Sequence, residues 1–111
     1  MDEIQREVAA GLGMLYEILP RSGKIKEDRI VKALNQIKTV QTMGPVVKNK
    51  IAFVVVRDKL HEGNKEDFVL QVLNIDRVIE WVMSQGSQRA DSKRADSLLE
   101  QIKNMSTPRT Q

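Results

Sequence analysis

The chain has 111 residues, 41% hydrophobic and 30% charged, with no Cys, a single His and a formal charge of +3. That fits one domain of common size with a single core, and it excludes disulfides and thiolate zinc sites. The longest apolar run, Ile51–Val56, is far shorter than the roughly 20 residues of a membrane-spanning helix.

The opening MDEIQREVAA is acidic and unlike a secretory signal, so a cytoplasmic setting is expected. The charge is unevenly spread. Residues 1–20 are net −3, whereas residues 21–63 hold ten Lys/Arg against four Asp/Glu, net +6. Residues 64–85 are net −2 and residues 86–111 net +2. A cationic middle of this kind points to an anionic partner, or to acidic and basic parts that face each other in the fold.

Pro20 with Ser22-Gly23, Gly44-Pro45, Gly63-Asn64 and Gly86-Ser87 punctuate the chain at helix-length intervals. The first interval, 2–19, sets Ile4, Val8, Leu12, Leu15 and Leu19 on one helical face. Gly11 and Gly13 weaken that helix by about 1 kcal/mol each relative to Ala, which points to close packing against a neighbour. The GLG they form has no preceding strand and is not a nucleotide loop; RSGK at 21–24 lacks the residues of a phosphate loop and reads as a turn.

The second interval predicts a helix over about 25–43. It buries Ile30, Ala33, Leu34, Ile37 and Val40 and exposes Arg29, Lys32, Asn35, Gln36 and Thr39.

The third contains KNKIAFVVVRDK, residues 48–59. Its β-branched run favours a strand locally, but no other segment has strand character, and a lone strand leaves its backbone unpaired. A helix over about 46–61 is therefore expected. At 100° per residue, Val47, Ile51, Val54 and Val55 form one apolar arc, and Val46, Ala52, Phe53, Val56 and Leu60 another. Lys50 and Arg57 lie in one gap, Lys48 and Lys59 in the other, with their heads expected in solvent.

The fourth interval opens with Asn64 as a cap and Glu66-Asp67 in the first turn. From Phe68 to Met83, 11 of 16 residues are apolar. Such a broad stripe predicts either a central helix or a surface covered by a second copy, with Phe68, Val72, Ile75, Ile79 and Trp81 as the core or dimer surface. In the fifth interval, Asp96 or Ser97 caps a last helix lined by Ala95, Leu98, Leu99, Ile102 and Met105. The repeat RADSKRADS at 89–97 is too short for a repeat architecture. The expected organisation is an all-α bundle of four to five helices over 1–105, possibly dimeric, followed by a mobile tail over 106–111.

Catalytic and metal chemistry find little here. His61 is the single His and has no carboxylate pair at ligand spacing; no nucleophile has a base and an activating turn. The expectation is a non-catalytic protein without metal, cofactor or small-molecule substrate. The cationic residues carry the positive case: Lys24, Lys26, Arg29, Lys32 and Gln36, with Lys48, Lys50, Arg57 and Lys59 as a second row, are types that hold phosphates and sugars. Two antiparallel basic helices, doubled by a dimer, would span a duplex backbone, and shape-based recognition of double-stranded RNA needs few aromatics. Single-strand stacking is disfavoured because Tyr16, Trp81 and both Phe are expected on apolar stripes away from that face. The alternative is an adaptor or regulator whose basic face docks on an acidic protein. No motif identifies a family. In plan and charge alone, the chain is similar to the small viral proteins that coat double-stranded RNA.

Overall fold

The computed structural model describes residues 2–86, and within them every regular element is helical. The expected helix over 95–105 and the tail over 106–111 lie outside the described residues.

Helix α1 spans Glu3–Ile18. Asp2 caps it, accepting from the Gln5 N–H at 2.8 Å while the Gln5 side chain accepts from the Asp2 N–H, a reciprocal pair that satisfies first-turn donors. Its far end is closed by Arg21, whose guanidinium donates to the Tyr16 and Leu19 carbonyls at 2.7 and 3.1 Å and lies over the Tyr16 ring. RSGK is thus a turn, with Gly23 at φ +87°.

Helix α2 spans Glu27–Asn35, shorter than the expected 25–43. Beyond it the backbone continues in i→i+3 turns, with Ile37 N–H to Leu34, Val40 to Ile37 and Met43 to Val40 at 3.1–3.2 Å. Three residues per turn brings Leu34, Ile37, Val40 and Met43 to one side, and all four are buried. Ile37, Thr39, Val40 and Thr42 are β-branched, which lowers the preference for continuing as α-helix.

Helix α3 spans Pro45–Asp58, with Pro45 at its first turn, where its missing N–H costs nothing. Lys59 closes it in the left-handed conformation, φ 53° and ψ 42°, and a 3-10 turn over Leu60–Glu62 follows. His61 in that turn is 2% exposed, its Nε2 2.9 Å from the Gly23 carbonyl. A carbonyl only accepts, so Nε2 is the protonated nitrogen.

Helix α4 spans Lys65–Leu73, capped as expected by the Asn64 side chain accepting from the Asp67 N–H at 2.8 Å. The single helix expected to start after Asn64 and to carry the apolar stripe from Phe68 to Met83 is broken. At Asn74 (ψ 1°) the chain leaves the helical path, and the Ile75 carbonyl starts a new helix, α5, by accepting from the Val78 and Ile79 N–H groups at 2.9 Å. Residues 76–86 are helical. The break shifts the helical phase: Val78 is buried, and Ile79, next in the unbroken stripe, is 40% exposed.

The core joins α1, α2, α3, α4 and the 36–43 turns around Leu12, Leu15, Ile30, Leu34, Ile51, Val55, Phe68 and Val72. Tyr16 and Phe68 stack at 5.3 Å, and the Tyr16 hydroxyl donates to the Gly63 carbonyl at 2.7 Å, fixing α4 antiparallel to α1. The two α1 glycines lie at close contacts, as their sequence context predicts. A Cβ on Gly11 would overlap Thr39 Oγ1 and sit 3.2 Å from Ile37 and Val40; one on Gly13 would sit 3.1 Å from Lys65 Cε.

Candidate nucleic-acid interface

Helices α2 and α3 form an antiparallel hairpin. At one end the Lys48 ammonium joins them, donating to Asn35 Oδ1 at 2.6 Å and to the Gln41 carbonyl at 2.7 Å. At the other, the residues leading into α2 meet the end of α3 around a groove of about 520 Å³. Lys24, Lys26, Lys59 and Glu62 line this groove with Ile25, Val56 and His61.

The expected cations divide into five groups. Lys24, Lys26 and Lys59 share that groove. Lys32 borders a second depression nearer the other end, with Asn49 of α3 and the acids Glu27 and Asp28. Lys50 and Arg57 lie on the outer ridge of α3, either side of Phe53, with Lys50 Nζ 5.4 Å and Arg57 Cζ 5.3 Å from the ring centroid. Arg57 also pairs with Asp58 at 2.9 Å through two parallel bonds. Lys48 belongs to none of these surfaces. It is 8% exposed and its head is held inside the hairpin, so the expectation that every seam lysine keeps its head in solvent is corrected there. An ammonium withdrawn from water needs acceptors, and the α2–α3 connection supplies two.

Arg29 and Gln36 are exposed on α2. At 100° per residue Arg29 lies about 160° around the helix from Val31, which lines the depression shared with Asn49. Arg29 lines neither of the two depressions.

Phe53 was expected on an apolar stripe away from the cations. It is 44% exposed, on the side of α3 opposite buried Ile51 and Val55. Asn49 and Val56, four residues before it and three after, line the two depressions, so Phe53 sits between them on one helical stripe. The signal was present in the wheel: Lys50 and Arg57 stand at i−3 and i+4 from an aromatic residue that the core does not need.

The residues expected as core or dimer surface divide between the core and the exterior. Phe68, Val72 and Ile75 are buried in the core and cannot also meet a partner, and Trp81 is half-buried against it. Ile79 is exposed with Leu70 and Met83, and together with Leu73 they line a shallow depression between α4 and α5.

The Arg57–Asp58 pair has a clear electrostatic signature. The hydrogen bond from Arg57 holds the Asp58 carboxyl below its ordinary range, and the Arg57 guanidinium is raised by the same bond. Both side chains are about half exposed at the surface, so salt screens the pair.

Among the described residues no helix is long and apolar enough to cross a membrane, and no three His, Asp or Glu side chains are grouped to hold a metal ion. No protein-family model, curated protein or solved structure matches the chain.

Proposed function

We propose that this chain is a non-catalytic nucleic-acid-binding protein that holds double-stranded RNA through phosphate contacts on the α2–α3 hairpin. One observation carries the reading: Lys24, Lys26 and Lys59, distant in sequence, converge on one groove, with Lys32, Lys50 and Arg57 further along the same hairpin. Cations spread along a rigid helical pair suit a regularly charged backbone, because each neutralised phosphate releases condensed counterions.

The test is a mobility-shift series with duplex RNA, duplex DNA and single strands at two salt concentrations. Binding that fades steeply with salt, and a Lys24→Gln/Lys26→Gln/Lys59→Gln variant whose salt slope is shallower by about two to three, are expected. No shift with any nucleic acid at low salt refutes the reading. A homodimer would extend the cationic surface, and its apolar contact would rest on Leu70, Ile79 and Met83. Sedimentation of the wild type and an Ile79→Glu variant at tens of micromolar tests it, a monomer in the wild type being the adverse result.

A further inference from the structure

We infer that Phe53 is a stacking platform for an unpaired base, so that the preferred ligand is an RNA duplex bordered by single-stranded nucleotides rather than a blunt duplex. This rests on the nucleic-acid reading above and adds a ligand class to it.

The core does not explain the ring. Ile51, Ala52, Val54 and Val55 fill the α3 positions that face inward, and Phe68, 1% exposed, is the aromatic that the core uses. Phe53 points the other way and keeps 44% of its surface in solvent. Other large apolar side chains are exposed as well. Among the described residues, however, Phe53 is the exposed aromatic that two cations approach, Lys50 Nζ at 5.4 Å and Arg57 Cζ at 5.3 Å from the ring centroid, at i−3 and i+4.

The arrangement also matches what a nucleotide offers. Every base has a π-face, and stacking it on an aromatic side chain is worth about 1–3 kcal/mol, with little dependence on sequence. From Lys50 to Arg57 the helix rises about 10 Å, which is about three base steps along one strand. A base on Phe53 would therefore have phosphates within reach of a cation on each side. A base pair inside the duplex cannot reach the ring, because both of its faces are already stacked; an unpaired base beyond the end can. The two flanking depressions lie on the same stripe of α3, so a duplex held by Lys24, Lys26 and Lys59 would leave its single-stranded continuation passing over Phe53.

The experiment uses fluorescence anisotropy with three labelled RNAs: a blunt duplex, the same duplex with a short single-stranded overhang, and that overhang made of abasic nucleotides. The abasic strand keeps every phosphate and removes the bases. The wild type is expected to bind the base-bearing overhang about fivefold or more tighter than the abasic one, the low end of base–aromatic stacking. Phe53→Leu, which keeps apolar bulk without the ring, is expected to erase that difference while leaving blunt-duplex affinity unchanged. Lys24→Gln/Lys26→Gln/Lys59→Gln should weaken all three RNAs and preserve the difference. Far-ultraviolet circular dichroism establishes that each variant is folded. Equal affinity for base-bearing and abasic overhangs in the wild type overturns the stacking role while leaving the nucleic-acid reading intact, and it is the result expected if the ridge serves an acidic protein. A difference that persists in Phe53→Leu overturns it too. Failure of the wild type to bind any RNA at low salt overturns both.

Discussion

The Lys48 ammonium reaches from α3 to Asn35 Oδ1 at the end of α2, 2.6 Å away, and the same ammonium holds the Gln41 carbonyl. The most cationic stretch of the chain thus uses one of its charges to set the geometry of the hairpin that displays the others. Lys48→Met keeps the buried stem and removes both bonds. The expected cost is about 1–2 kcal/mol, seen as a lower urea midpoint at unchanged slope, with the salt dependence of RNA binding unaltered. A shallower salt slope would place Lys48 at the phosphates instead.

Lys59 presents a different trade. It occupies left-handed backbone that Gly adopts without strain, yet its side chain lines the groove with Lys24 and Lys26. Lys59→Gly should therefore raise stability by about 0.5–1 kcal/mol, after allowing for the greater freedom of Gly in the unfolded chain. The same change should weaken RNA binding and reduce its salt slope by about one. Thermal unfolding and anisotropy on one preparation measure both.

Asp58 subtracts from the cationic ridge by occupying Arg57. Asp58→Asn should tighten RNA binding about two- to fivefold at low salt. Because the carboxyl is held below its ordinary range, the pair is intact above that range and is lost as pH falls through the lowered value. The advantage of Asp58→Asn over the wild type should accordingly shrink on acidification, which titration of affinity between neutral and acid pH would reveal. An advantage constant with pH would separate Asp58 from Arg57.

The two phenylalanines should behave oppositely. Phe68, against Tyr16 in the core, is expected to cost about 3–5 kcal/mol when changed to Ala. Phe53→Ala should stay within about 0.5 kcal/mol of the wild type, as expected of a surface site. Denaturation midpoints for the pair decide whether Phe53 is free to act as a binding residue.

Much of the helical plan was legible in local signals. Asn64 caps α4 as its residue type and the following acids predict, and the first helix follows its apolar spacing from Val8 to Leu19. The breaks were harder to read, for physical reasons. No Gly or Pro marks Asn74, and the apolar stripe from Phe68 to Val82 looks continuous through it. Only the burial of Val78 in place of Ile79 betrays the change of phase. After Asn35 the three-residue spacing of Ile37, Val40 and Met43 was a usable sign of tighter turns, overridden by the expectation that the helix runs to Gly44. For the interface, residue type identified cations but not their orientation. Lys48 turned inward because acceptors happened to lie within its reach, and this depends on the path of 36–43, which no local pattern of Lys48 encodes.

Gly11 has a reach beyond α1. The 36–43 turns lie against its bare backbone, and those turns carry the Gln41 carbonyl that Lys48 grips. A methyl group added at Gly11 would press on Ile37 and Val40, and the displacement would pass through Gln41 to the register of α2 against α3. A position with no charge and no exposure is therefore a remote control on how far apart the cations of the outer surface stand.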